Sequence, residues 1–154
     1  MKVSDILRVK NAGSHSTLFT ITPEHLLSDS MKLLEINDIG SLIVMSQGKV
    51  TGMLTFREVI SAIVKNDGMV GSTTVYAAMD KSPLMLTSET ELDEVRRLML
   101  TNHARYMPVV DGQVLMGVIS FYDVAKTIVD SQNFENQMLK AYIRDWPAEE
   151  EKQG

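Results

Sequence analysis

The chain has 154 residues, 44% hydrophobic and 23% charged, a composition that excludes disorder or fibre for most of its length and suffices for an unstapled core. It has no cysteine, which removes disulfides, thiolate metal sites and thiol nucleophiles together. A net charge of −5 argues against a nucleic-acid backbone or an anionic membrane surface as the main partner. Apolar runs such as Leu42 to Met45 are far too short to cross a bilayer. The start, MKVSDILRVK, lacks an apolar stretch followed by a small-residue cleavage site, so a cytoplasmic address is expected.

In chain order, Leu18–Ile21 is a short β-prone piece, and Thr22 with Pro23 signals a helix start. Leu26, Leu27, Met31 and Leu34 then recur at helical spacing until Asn37-Asp38. Two strands follow, SLIVM and KVTGMLT, joined through Gln47-Gly48, and a helix bearing Val59, Ile60, Ile63 and Val64 closes the unit. The segment Asn66–Thr74 is polar and glycine-rich, as a linker should be.

The pattern then returns 65 residues later without a gap. Thr22 pairs with Thr87, Glu24 with Glu89, Leu27 with Leu92, Leu33 with Leu98 and Asn37 with Asn102. Val44 pairs with Val109, Gly52 with Gly117, Val59 with Val124, Ile63 with Ile128 and Val64 with Val129. The second copy therefore repeats the order: a β-prone Leu84–Thr87, a helix start at Ser88 and Glu91, strands YMPVV and QVLMGVIS, and a closing helix. Each copy reads β-α-β-β-α and is small, so the apolar sheet faces of the two are expected to cover one another around a pseudo-twofold axis. Beyond Asp130, Met138, Leu139, Tyr142, Ile143 and Trp146 make one apolar stripe on a further helix. That stripe is expected to pack on the pair, on a dimer mate or on a protein target, with Pro147 ending it before an acidic tail.

VSDIL (Val3–Leu7) and VYAAM (Val75–Met79) precede the two copies; with YMPVVDG, GMLTFREV and GVISFYDV they carry a likeness over residues 1–130. The chain resembles a tandem cystathionine-β-synthase (CBS) domain pair, or Bateman module, of the stand-alone bacterial kind. The resemblance implies an α+β (α/β) fold of two packed repeats plus a C-terminal helix. The expected division is 1–65 and 75–130 for the repeats, 66–74 for the linker, 131–146 for the helix and 147–154 for the tail. It also implies a cleft between the repeats for an adenosine compound (AMP, ADP, ATP, NAD or S-adenosylmethionine) and a disc-shaped homodimer.

A strand ends and a helix begins at Ser120, so free backbone N–H groups and the positive helix end suit a phosphate there, with Gly117 admitting it closely. Asp123, one turn on, has two acceptor oxygens for ribose hydroxyls. The same Ser-x-x-Asp spacing is also a helix capping box, in which both side chains serve the backbone. The family's phosphate Ser and ribose Asp fall on Ser120 and Asp123, which are expected to form the occupied site. By the same likeness, Arg105, Tyr106, Met107 and Pro108 with Met85, Leu86 and Thr87 line the adenine slot, and Arg57 and Arg105 meet phosphate. In the first copy Glu58 replaces the Asp, so Thr55 and Glu58 are expected to be mainly a cap, with Thr22 and Ser41 completing a weaker second site. His15, His25 and His103 are scattered, and nucleophile-elbow and P-loop patterns are missing, so neither a metal nor catalysis is expected. The competing readings are a ligand-free interaction module and an S-adenosylmethionine binder.

Overall fold

A computed structural model of the protein describes residues 1–12 and 18–144. Its elements run α1 (Val3–Ala12), β1 (Thr20–Ile21), α2 (Leu27–Ile36), β2 (Ser41–Ser46), β3 (Lys49–Thr55), α3 (Phe56–Lys65), α4 (Val75–Ala78), α5 (Leu92–Asn102), β4 (Tyr106–Asp111), β5 (Val114–Ser120) and α6 (Phe121–Arg144). β1 pairs parallel with β2, which pairs antiparallel with β3, and β4 pairs antiparallel with β5. In the second repeat the first strand shrinks to the single parallel bridge Leu86–Val109.

The 65-residue period holds to the level of single bonds. Both hairpins bulge at the same place, between Val44 and Met45 and between Val109 and Val110. Both pair their strand ends alike, Ser41 with Thr55 and Tyr106 with Ser120. The long helices also stop alike, because Asn37 and Asn102 donate their side-chain amides to Leu33 and Leu98 carbonyls at 2.9 Å. The next residues, Asp38 and His103, then take left-handed backbone conformations that end the turn.

Two expected helix starts lie too early. α2 and α5 begin at Leu27 and Leu92, with Leu26 and Glu91 as side-chain-free caps. The preceding residues are held in extended contacts instead. Leu26 bridges Thr74 and Glu91 bridges Lys2, while Leu27 and Leu92 donate to the Thr73 and Met1 carbonyls. Ser88 turns its hydroxyl and backbone N–H to Asp111 instead of to α5, and its carbonyl accepts the Ser4 N–H at the start of α1.

Those contacts exchange the two lead-in helices. Val3, Ile6 and Leu7 of α1 are buried with Leu86, Val95, Met99, Met107, Val109, Ile119 and Val124 of the second repeat. Val75 and Met79, in and just after α4, are buried with Ile21, Leu27, Leu34, Leu42, Val44 and Leu54 of the first. The expectation that one sheet face would cover the other is thereby corrected: each repeat keeps its own core, lidded by the helix that precedes the other repeat in sequence. The segment 66–74 is tied down at its end, where Thr74 accepts the Ala77 N–H at the start of α4.

The glycines of the period serve this docking. A Cβ on Gly52 would stand 2.6 Å from the Asp80 carbonyl oxygen and 2.7 Å from the Met79 sulfur, and one on Gly117 would stand 2.8 Å from a Leu7 methyl. α6 runs unbroken to Arg144, so the closing helix and the C-terminal stripe are one element. Past Ile128 its apolar residues Phe134, Met138, Leu139, Tyr142 and Ile143 are exposed, which corrects the expected packing against the pair; Trp146 and Pro147 lie outside the described residues. Among the described residues no helix is long and apolar enough to cross a membrane.

Acid will weaken this fold in a defined window. The Ser88 hydroxyl, and then its backbone N–H, hold the Asp111 carboxyl below its ordinary value, and the Lys2 backbone N–H does the same for Asp5. A carboxyl depressed in the folded state stabilises above its unfolded pKa of about 3.9 and loses that contribution as pH falls through the folded value. Urea unfolding measured from pH 5.5 downward is therefore expected to show stability falling below about pH 4. Asp111→Asn should flatten that fall; an unchanged slope would remove Asp111 from the account.

Candidate functional site

Two clefts lie between the repeats, each opening at a strand-to-helix junction. The first, about 460 Å³, is lined by Thr55, Arg57, Glu58 and Ile60 of the first repeat and by Leu84, Asn102, Ala104, Arg105 and Tyr106 of the second, with Asp80 and Ser82 between them. The second, about 200 Å³, is lined by Met116, Gly117, Val118 and Ser120 of the second repeat and by Phe19, Ile39, Gly40 and Ser41 of the first, with Leu7, Lys10 and Asn11 of α1.

The halves are thus crossed relative to expectation. Each cleft combines the helix start of one repeat with the residues entering the central strand of the other. Arg105 was expected beside Asp123 but lines the Thr55 cleft, and Ser41 was expected beside Thr55 but lines the Ser120 cleft. Within each hairpin Ser41 pairs with Thr55 and Tyr106 with Ser120, yet Ser41 lines the Ser120 cleft and Tyr106 also reaches the Thr55 cleft.

The remaining expected residues separate further. Met107 is fully buried in the second core and Pro108 is buried in β4, so both serve packing. Met85 and Thr87 line neither cleft, and the Thr87 hydroxyl is engaged with that of Thr90. Leu86 is also core, while Thr22 lies in a separate groove beside His25 and Asp29. Tyr106 borders both clefts. Its hydroxyl occupies the space over Gly40, where a Cβ would stand 1.8 Å away. Gly40 is the counterpart of Arg105, so the second cleft lacks an arginine at this position for a steric reason.

The two helix starts also differ from expectation. Ser120 and Asp123 form the full reciprocal cap: the Ser120 N–H donates to Asp123 Oδ2 at 2.9 Å and the Asp123 N–H donates to Ser120 Oγ at 3.0 Å. The Lys10 ammonium donates to the same Oδ2 at 2.9 Å and to the Val118 carbonyl at 2.8 Å. Asp123 is therefore folded onto its own helix start, and Gly117 serves Leu7 as much as the cleft. At the other junction, Thr55 accepts the Arg57 N–H and gives its hydroxyl to the Glu58 carboxylate at 2.9 Å. Glu58, expected to be the capping partner, thus takes its bond from a side chain beside the cleft.

The Thr55 cleft combines a helix N-terminus, two guanidinium-bearing side chains, the carboxylates of Glu58 and Asp80 and the apolar walls Met53, Ile60 and Leu84. The positive helix end and guanidinium forks favour phosphate, and an ionised carboxylate accepts hydroxyls. Arg57 donates to the His103 carbonyl at 2.8 Å, which ties α3 to the end of α5 across the repeats. Lys10, Asp80, Ser82 and Asn102 were missed by sequence reasoning. Aligning VSDILRVK with VYAAMDKS, 72 residues apart, sets Lys10 opposite Ser82 and would have flagged both.

Comparison with known proteins agrees with this architecture. The family model described as CBS domain matches residues 3–65 and 75–130. The CBS domain-containing protein CBSX3, mitochondrial, of Arabidopsis thaliana is 26% identical over 147 residues, covering 92% of this chain and 71% of that protein. The structure of a CBS-domain protein from Burkholderia ambifaria MC40-6 is 29% identical with a TM-score of 0.78, covering 86% of this chain and 96% of that one. CBSX2 of Arabidopsis thaliana, solved in complex with AMP, shares the fold at 22% identity and a TM-score of 0.70, covering 85% of this chain and 98% of that one.

Proposed function

Because the chain belongs to the CBS domain family, we propose that it is a non-catalytic regulatory module that binds an adenine nucleotide between its repeats, first in the Thr55 cleft. The observation that carries this reading is the meeting of Arg57 and Arg105, from different repeats, at a helix start beside a carboxylate that does not cap that helix. Phosphate would lie on the α3 N-terminus and the two guanidiniums, and Glu58 would accept ribose hydroxyls. The base would fit among Ile60, Leu84 and Tyr106. The cleft volume falls within the roughly 300–1,000 Å³ of ligand pockets, whereas the Ser120 cleft falls below it. This reverses the expected ranking of the two sites, and leaves Ser120, Asp123, Gly117 and Ser41 as a secondary one.

A ligand that touches both repeats favours one relative arrangement of them, and that preference is the transmissible signal. The same reading takes the module as a homodimer, joined through the exposed apolar residues of α3 and the start of α6, such as Val64, Phe121 and Tyr122.

Calorimetry of the full chain against AMP, ADP, ATP, NAD and S-adenosylmethionine tests this reading. Phosphate-bearing ligands are expected to bind. A hydrogen bond to a charged group is worth about 1.5–3 kcal/mol, so Arg105→Ala should weaken them by roughly 10- to 100-fold. Glu58→Ala should weaken all the nucleosides, and Asp123→Ala should leave the first equivalent unchanged. Tight S-adenosylmethionine binding indifferent to Arg105→Ala would favour that ligand instead. No heat with any of them would favour an interaction module.

A further inference from the structure

The two clefts share one architecture but differ at one inserted group. In the Thr55 cleft the lead-in helix α4 ends after four residues, and the chain departs extended through Met79 and Asp80. In the Ser120 cleft the lead-in helix α1 continues for ten residues. Both helices seat a side chain on the periodic glycine of the strand they cross, Met79 on Gly52 and Leu7 on Gly117. Three residues beyond that seat stand Ser82 in one case and Lys10 in the other. With Leu7 fixed in the core, one further turn of α1 delivers the Lys10 ammonium to the end of β5.

There the ammonium takes the Val118 carbonyl, whose residue lines the cleft, and Asp123 Oδ2, one turn into α6 behind the cleft residue Ser120. Asp123 retains only 15% of its side-chain exposure, and the cleft has about 200 Å³ against about 460 Å³ on the side that lacks a lysine. Among the described residues Glu58 has no cation at ion-pair distance.

We propose that Lys10 is an intramolecular latch that holds the Ser120 cleft shut to nucleotide, so that the chain has one open cleft and one gated by its N-terminal helix. This rests on the nucleotide reading above. The latch is weak enough to yield, because the Lys10 side chain is 34% exposed and a partly hydrated ion pair is readily exchanged. On that reading the ribose of a nucleotide in the cleft bonds the Asp123 carboxylate, so its entry releases Lys10 and loosens the last turn of α1. By linkage, whatever displaces that turn raises affinity in the cleft by the same factor. The repeats are thereby made unequal: one senses nucleotide, and the other responds to the state of α1.

The test counts nucleotide equivalents on the full chain by AMP and ATP calorimetry, with Lys10→Met keeping the apolar stem and removing the ammonium. Arg8→Met is the control, since Arg8 lies on the same helix and, among the described residues, pairs with Asp5 on its surface. Wild type and Arg8→Met are expected to bind one equivalent per chain and Lys10→Met two, with faster amide exchange at residues 9–12 and an unchanged melting temperature. A Lys10→Met chain still limited to one equivalent, or a second equivalent already present in wild type, overturns the latch and leaves the nucleotide reading standing. No binding to wild type with one equivalent on Lys10→Met overturns the reading of the Thr55 cleft and supports the latch. No binding to either overturns both.

Discussion

Ile6→Ala combined with Leu7→Ala is expected to strip hydrogen-exchange protection from β4 and β5 while β2 and β3 keep most of theirs. Both side chains belong to a helix that precedes the first repeat, yet they are buried against Met107, Val109 and Ile119 of the second. Truncating a buried Leu or Ile to Ala costs about 2–5 kcal/mol, and adjacent sites on one helix couple. The pair should therefore remove roughly 4–10 kcal/mol, comparable with the whole stability of an ordinary domain at about 5–15 kcal/mol. Amide exchange followed residue by residue distinguishes the exchanged arrangement from one in which each helix serves its own repeat. Protection lost first from Leu42 and Leu54 would contradict the exchange. Val75→Ala gives the mirror experiment, since Val75 is buried with those residues.

Gly52→Ala and Gly117→Ala will both lower stability, for different reasons, although the two glycines occupy the same place in the repeat. At Gly52 the added methyl would meet a backbone oxygen, that of Asp80, at 2.6 Å. That oxygen is fixed, because Asp80 and Met53 exchange backbone hydrogen bonds at 2.9 and 3.0 Å. At Gly117, whose φ of +159° already disfavours an L side chain, the methyl would stand 2.8 Å from a methyl of the buried Leu7. Overpacking costs about 1–3 kcal/mol, and Gly52→Ala belongs at the upper end. For a chain of this size that lowers the melting temperature by roughly 2–4 °C per kcal/mol, readable by calorimetric scanning of the two variants side by side. A Gly52→Ala chain that melts like wild type would mean that the Met53–Asp80 bridge yields to a methyl group.

The duplication was legible because it is written in local chemistry. Hairpin turns, Asn-terminated helices and alternating strands recur at a fixed offset, and each is decided within a few residues of chain. The helix starts at Thr22 and Ser88 were misplaced because their capping signals are overridden by extended pairing with Thr73–Thr74 and Met1–Lys2, partners far away in sequence. The site was legible in its parts and mistaken in its assembly. Ser120, Asp123, Thr55, Glu58 and Arg105 were singled out by residue type and spacing. Their distribution between two clefts depends on which repeat's strand end faces which helix start, and nothing local specifies that.

The same division explains the reversed preference between the clefts. Asp at one helix start and Glu at the other suggested a ribose site and a cap, since the shorter carboxylate suits the sugar. In the folded protein Lys10 arrives from α1, more than a hundred residues away, and donates to the Asp that also caps its own helix. Tyr106, lying over Gly40, fills space beside the same cleft. The amino-acid order alone determined that there are two copies of one β-α-β-β-α unit and where each hairpin turns, because short-range turn chemistry and hydrophobic period suffice for that. Only the tertiary structure decided which helix closes which core and which of the two carboxylates a distant lysine reaches, because both follow from contacts between segments that the chain brings together only when it folds.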